Sequence, residues 1–249
     1  MQYSQIIGLQ FNDITRQEQE ILVNSFVSGF VSEKITDFVV ANKTESSIPC
    51  SNARQPRDNV FLRYGKLFKF GDIAVLDKED FRDFSADIRK LSAHESYKEK
   101  NWIVFYDKIL ADDSVKSLDA IGLVLKPSQS AVPAAYQYIK AMTKSGCSVP
   151  LKVIIYGERY IEKAAEFFLG LKADLKKLSS ENAPVEFAGF IFIPPEEKDL
   201  LLRFNTDIPR AFPKSDLHGQ IVSCLRKITD HDNSIIRETQ AERLLLLGC

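Results

Sequence analysis

Seven short runs of mostly apolar residues recur along this chain. They lie at residues 5–11, 36–41, 72–76, 102–106, 120–125, 151–155 and 187–193. Runs that are nearly continuous in Val, Ile, Leu and Phe are typical of strands that are covered on both faces, as in a parallel sheet flanked by helices. The pattern therefore predicts a three-layer α/β fold with a central, mostly parallel sheet of about seven strands.

Segments of helical length separate these runs. Thr15-Arg-Gln-Glu18 has the sequence of a capping box, which predicts that the first helix starts there. Leu22, Phe26 and Phe30 follow at four-residue spacing and form its predicted buried stripe. Further helices are predicted at residues 81–91, 131–144, 160–178, 196–205 and 216–228. We expect one domain over residues 1–230 and a C-terminal helical tail over residues 231–249.

The charge balance argues against a general attraction to nucleic acid. The chain has 33 basic and 34 acidic residues, a net charge of -1 and a pI near 6.3. Its four cysteines show no CxxC or zinc spacing, so we expect free thiols in a reducing cytoplasm. No apolar run approaches the roughly 18 residues that a membrane span needs. These features predict a cytoplasmic protein, with a peripheral position at the inner face of the membrane as the alternative.

The loop after the first strand is where a parallel sheet of this kind would bind a phosphate. Residues 12–18, NDITRQE, contain neither the glycines that let a backbone wrap an anion nor a lysine. Ile14 is β-branched at a point where a positive φ would be costly. Acidic Asp13, Glu18 and Glu20 crowd the start of the helix, and Arg16 is the only cation that we place within reach. We predict that this loop does not bind a nucleoside triphosphate in the ordinary way.

Two segments in the second half of the chain carry a family resemblance. Residues 121–140, IGLVLKPSQSAVPAAYQYIK, form a strand, a Pro-containing loop and a helix that starts with Ser-Ala. Residues 189–215 combine a strand that ends in Pro194 with a short helix and the run IPRAFPKS. Both segments resemble the MinD/ParA-type ATPases, a deviant Walker family of the SIMIBI class. The resemblance covers about residues 100–228 and implies a P-loop NTPase-like topology.

The nucleotide-handling positions of that family are altered in this chain. The resemblance places the remnants of the site at Asn12, Asp13, Thr15, Arg16, Asp107 and Tyr156. Asp107 is either a metal or water ligand or the polar cap of a strand end, and we favour the cap. We therefore expect no cofactor and predict no catalytic or metal-binding residue. The resemblance implies a degenerate member that lacks the phosphate-binding loop, in other words a pseudo-ATPase.

Other polar residues have simpler interpretations. His94, His218 and His231 are scattered without partners at metal spacing. Ser128 and Ser130 lack the surroundings of a nucleophilic serine, and we expect them to cap the following helix.

Two segments suggest interaction surfaces. In residues 54–70, basic residues that include Arg63, Lys66 and Lys69 alternate with aromatic ones, as in a nucleic-acid-binding strand or in an ordinary β-ribbon. The chain end carries a leucine run that includes Leu244 and Leu245. We expect the tail to dock on its own domain or on a second subunit, and the mixed charges beside it favour membrane attachment less.

The leading hypothesis is a non-catalytic protein that acts through protein-protein contacts. The resemblance implies a role in the positioning or assembly of bacterial flagella, pili, division or partition machinery. A protein partner is expected and a homodimer stays open, whereas nucleic acid is not the expected partner. Two alternatives remain. One is an active ATPase that binds Mg-ATP, with Arg16 or a partner's lysine completing the site, and the other is a nucleic-acid-binding module built on residues 54–70.

Overall fold

A computed structural model describes residues 5–32, 38–42, 66–70, 73–77, 100–106, 118–146, 149–178, 184–204 and 206–229. The strands are β1 (Ile6–Asn12), β2 (Phe38–Asn42), β3 (Lys66–Phe70), β4 (Ile73–Asp77), β5 (Asn101–Tyr106), β6 (Ala120–Leu125), β7 (Leu151–Tyr156) and β8 (Val185–Ile191). The helices are α1 (Arg16–Ser32), α2 (Ala131–Ser145), α3 (Ile161–Leu178), α4 (Pro195–Phe204), α5 (Ile208–Ala211) and α6 (Asp216–Thr229). None of these helices is both long and apolar enough to cross a bilayer.

The eight strands form one sheet in the order β3-β4-β2-β5-β1-β6-β7-β8. Seven of them run parallel, as the apolar runs predict, and β3 pairs antiparallel with β4 at the edge. Lys66 and Lys69 therefore lie on an edge strand of the kind expected from the β-ribbon interpretation of residues 54–70.

Helices cover both faces of the sheet, so the predicted three layers are confirmed. On one face α1 packs with α4, α5 and α6 over apolar side chains of β1, which are Ile7, Leu9 and Phe11. On the other face α2 and α3 pack over β6 and β7, with Tyr138 and Phe168 among the buried residues. The parallel strands are apolar on both sides because each side faces a helical layer.

The capping box at the start of α1 is confirmed. The Thr15 N–H donates to Oε2 of Glu18 over 3.0 Å, and the Glu18 N–H donates to Thr15 Oγ1 over 3.4 Å. Leu22 and Phe26 of the predicted stripe are fully buried, whereas the side chain of Phe30 lies outside the described part.

The other described strands and helices that were predicted match the predicted ranges to within two residues at each end, and two differences from the predictions have an identifiable cause. Strand β8 ends at Ile191, two residues early, because the N–H of Phe192 donates to Oε1 of Gln220 in α6 and so leaves the ladder. Residues that the sequence indicates as a loop form the single-turn helix α5, whose N-cap Asp207 accepts from the Arg210 N–H. The predicted helix at residues 81–91 and the tail at residues 231–249 lie outside the described residues.

Strand β1 lies at the point where the topology reverses. The chain leaves β1 through α1 towards β2 on one side, and leaves β6 through α2 towards β7 on the other. Because such crossovers are right-handed, α1 and α2 lie on opposite faces of the sheet. The loops after β1 and β6 therefore leave the carboxyl edge of the sheet towards opposite faces. We call this switch point the crevice, because it is where ligands bind in folds of this type.

Close packing requires a glycine near the middle of the sheet. A Cβ on Gly8 of β1 would lie 2.7 Å from Leu118 Cδ1 and 2.8 Å from the Tyr106 hydroxyl. Both neighbours are buried, so neither side chain has free space into which to move.

We expect Gly8→Ala to lower the free energy of unfolding by about 1–3 kcal/mol, because the new methyl group overpacks the core. The matched control is Gly170→Ala in α3, where nothing lies within 4 Å of the added Cβ. That variant should gain about 0.4–1 kcal/mol through the less flexible unfolded chain. Urea unfolding of both variants measures the effect, and equal stabilities would contradict the packing at Gly8.

Candidate functional site

A buried carboxylate lies at the centre of the crevice. Glu18 belongs to the first turn of α1, and only 7% of its side chain is exposed. The capping box directs this carboxylate back over the loop after β1, where the Thr15 hydroxyl also donates to Oε2 over 2.8 Å. The place where the topology would put a bound anion therefore holds an anionic side chain of the protein itself.

Two lysines from other parts of the sheet bind this carboxylate. Lys126 directly follows β6, and its Nζ lies 2.8 Å from Oε2 of Glu18. Lys198 lies in the first turns of α4, and its Nζ lies 2.8 Å from Oε1. The two lysine side chains are 31% and 29% exposed, so water reaches them only in part. Each carboxylate oxygen thus has its own charged donor.

The electrostatic effect of these contacts is large. Burial alone would raise the pKa of Glu18, but the hydrogen bonds from Lys126, Lys198 and Thr15 outweigh it and lower that pKa to about 2. Glu18 is therefore ionised over the whole physiological range of pH. Its charge is balanced inside the protein by two cations, which leaves the triad with one net positive charge.

Tyr156 completes the wall of the site. It is the last residue of β7 and is buried, and Lys126 Nζ lies 5.7 Å from the centre of its ring. Burial and the neighbouring Glu18 carboxylate raise the pKa of Tyr156, so its hydroxyl stays protonated. The ring supports Lys126 through a cation–π contact.

The loops after β1 and β6 are joined by a second polar contact. Asp13 adopts a left-handed conformation with φ of 58°, and its Oδ2 accepts from Ser130 Oγ over 3.0 Å. The Ser130 hydroxyl also lies 2.7 Å from that of Ser128. The prediction that the Ser130 side chain caps α2 is wrong, because no side-chain cap bond forms there and the hydroxyl turns to Asp13 instead.

Sequence reasoning missed both lysines of the site, and its statement that Arg16 is the only cation within reach is wrong. Arg16 is exposed at the first position of α1, whereas Lys126 and Lys198 contact Glu18. The position of Lys126 straight after a central strand was an available signal. No sequence signal indicated Lys198, because its contact with Glu18 depends on how α4 packs against the sheet.

The remaining predicted positions are Asn12, Asp107, Arg63, Leu244 and Leu245. Asn12 ends β1 at the edge of the crevice. Asp107, Arg63, Leu244 and Leu245 lie outside the described residues, so their predicted roles stay predictions. Within the described ranges, no group of three or more His, Cys, Asp or Glu side chains is arranged to hold a metal ion.

We expect Glu18→Gln to lower the free energy of unfolding at pH 7 by roughly 2–3 kcal/mol, because the variant loses the charge that the two lysines stabilise. The folded pKa of Glu18 lies below the unfolded value of 4.5, so this stabilisation is present above about pH 5 and is lost as the pH falls towards 2. Urea unfolding of wild type and variant between pH 2 and 7 measures the difference.

The matched control is Glu20→Gln, which removes a partly buried carboxylate from the same helix. It should change stability by less than about 0.5 kcal/mol at any pH in that range. A Glu18→Gln effect that did not shrink towards pH 2 would contradict the ionic origin of the stabilisation.

Comparisons with known proteins give a structural match only. No protein-family model and no curated protein sequence matches the chain significantly. Among solved structures, the MinD cell division protein of Aquifex aeolicus is similar, with a TM-score of 0.64, 13% identity, and 90% of this chain and 96% of that chain covered. The same organism's MinC:MinD complex matches with a TM-score of 0.62 at 13% identity, covering 90% and 96%.

A ParA family ATPase of Chlorobium tepidum TLS is also similar, with a TM-score of 0.63, 12% identity, and coverage of 89% of this chain and 98% of that chain. At such identities a likeness is evidence for the fold and not for the activity. The chain has a MinD/ParA-type fold.

Proposed function

We propose that this protein is a non-catalytic relative of the MinD/ParA ATPases that acts through protein-protein contacts. The observation that carries this proposal is the Glu18 carboxylate, which lies at the amino end of α1 and engages Lys126 and Lys198. A triphosphate at this helix end would have to displace a buried carboxylate and separate two short ion pairs. Both changes oppose nucleotide binding.

The loop itself supports the same conclusion. A phosphate loop needs several backbone N–H groups turned inward, which usually requires glycines. No glycine occurs between Gly8 and Gly29, and the left-handed position is taken by Asp13, whose charge opposes a phosphate. The Thr15 and Glu18 N–H groups, which could otherwise face an anion, are bonded within the capping box.

The similar structures suggest the cellular setting. They are named as a cell division protein, a complex of that protein with MinC, and a ParA family ATPase. By analogy, we place this protein in bacterial positioning or assembly machinery, where it would bind a protein partner. The analogy does not select among division, partition, flagellar and pilus systems.

We expect several millimolar Mg-ATP or Mg-ADP to leave the melting temperature of the wild-type protein unchanged. A ligand at about 100 times its Kd would stabilise the fold by roughly 2.7 kcal/mol, so even modest affinity would be visible. Thermal unfolding and titration calorimetry measure the response. Magnesium sulfate at equal ionic strength is the control for salt effects.

A nucleotide-dependent rise in melting temperature, or heat of binding that saturates, would overturn the non-catalytic assignment. ATP turnover that increases with protein concentration would point instead to an active enzyme whose site is completed by a second subunit.

Helix α4 offers a position for a partner contact. Leu200 and Phe204 lie one turn apart on α4 and are 44% and 65% exposed. Lys198 on the same helix is tied to Glu18, so the ion pair helps to fix the orientation of α4. Apolar side chains four residues apart on one helix can dock together in a groove of a partner protein.

We expect the double variant Leu200→Ser/Phe204→Ser to keep its fold but to capture less of a natural partner, because the apolar anchor is lost. The control is Leu169→Ser on α3, which removes a leucine of similar exposure, 39%. Proteins co-purified from a lysate of the source organism, compared by quantitative mass spectrometry, measure the loss. Equal capture by both variants would remove α4 from the interface.

A further inference from the structure

We propose that Lys126, Lys198 and the amino end of α1 form an oxyanion-binding site that the chain fills with its own Glu18 carboxylate. The ligand class is a small tetrahedral oxyanion such as phosphate, which the site accepts when that carboxylate is removed. This inference deepens the proposed function, because a site that is filled internally needs no nucleotide to hold its loops in place.

The contact geometry supports an anion site more than a simple surface ion pair. The two lysines bind different oxygens of one carboxylate, each over 2.8 Å. Oxygen Oε2 also accepts from the N–H and the hydroxyl of Thr15. Four donors from three separate elements thus converge on one small anion, which is how proteins bind phosphate and sulfate.

The balance of charges also supports an anion-binding site. Two ammonium groups face one carboxylate, so removal of that carboxylate would leave two like charges pointed at one volume. The positive end of the 17-residue helix α1 adds to their field. An incoming oxyanion would restore the balance, and truncation of Glu18 at Cβ would supply space for it.

The internal carboxylate also fixes three segments of the chain. Glu18 belongs to α1, Lys126 to the loop after β6 and Lys198 to α4, so one carboxylate holds together elements that are distant in sequence. Because the anion is covalently part of α1, the connection does not depend on the concentration of any ligand. The contact that positions α4, with its exposed Leu200 and Phe204, is therefore supplied without a ligand.

The test uses Glu18→Ala and inorganic phosphate as the probe, with chloride at equal ionic strength as the salt control. We expect phosphate at 100 times its Kd to raise the melting temperature of the variant by about 5–10 °C. Wild type should show no such rise, because Glu18 fills its site. Glu20→Ala removes a negative charge from the same helix and should behave as wild type does.

Two further variants keep the test decisive if Glu18→Ala folds poorly. Glu18→Ser opens nearly the same space as Glu18→Ala and should likewise be stabilised by phosphate more than wild type. Glu18→Ala/Lys198→Ala should lose the response, since one of the two cations is absent. An equal phosphate response in all proteins, or none in either Glu18 variant, would overturn the proposed site.

The phosphate experiment and the nucleotide experiment test different claims. Nucleotide binding by the wild-type protein would overturn the proposed function, whatever the variants do. A missing phosphate response in the Glu18 variants would overturn the oxyanion site and leave the non-catalytic assignment in place.

Discussion

The contact of one buried carboxylate with two lysines organises the carboxyl edge of this sheet. Glu18 is ionised because Lys126 and Lys198 each donate to one of its oxygens, and this outweighs the cost of burial. The contact joins α1, the loop after β6 and α4 at the point where the topology reverses. The elements that would surround a ligand in this fold are held instead by a side chain.

The fold and the contents of its crevice are set by different features of the sequence. A parallel sheet with a reversal at β1 creates a crevice regardless of what fills it, because right-handed crossovers force the two loops apart. What fills it depends on a few side chains. Here Glu18 and Asp13 bring negative charge to the end of a helix that would otherwise attract an anion. The scaffold is similar to that of MinD and ParA structures, whereas the polar interior of the crevice is set by individual side chains such as Glu18.

Much of the fold was predictable because its signals are local. Strand β6 was predicted at its observed limits, and the capping box located the start of α1, since periodicity and capping depend on residues only a few positions apart. The role of strand β3 was harder to predict, because its alternating basic and aromatic residues are typical both of a β-ribbon and of a nucleic-acid-binding strand. Helix α5 was not predicted, because part of what stabilises its start is distant in the sequence. The N–H of Ile208, its first residue, donates to Oγ of Ser25 in α1.

The sequence by itself determined the three-layer α/β architecture, the absence of glycine and lysine from the first loop, and the acidic start of α1. Only the tertiary structure decided what the acidic residue does. Lys126 lies 108 residues from Glu18 and Lys198 lies 180 residues away, so no local pattern relates the three. Strand order brings Lys126 to the crevice, and the packing of α4 over the same sheet face as α1 brings Lys198. Ion pairs over such separations follow from the fold, because the free energy that positions them comes from the buried apolar core.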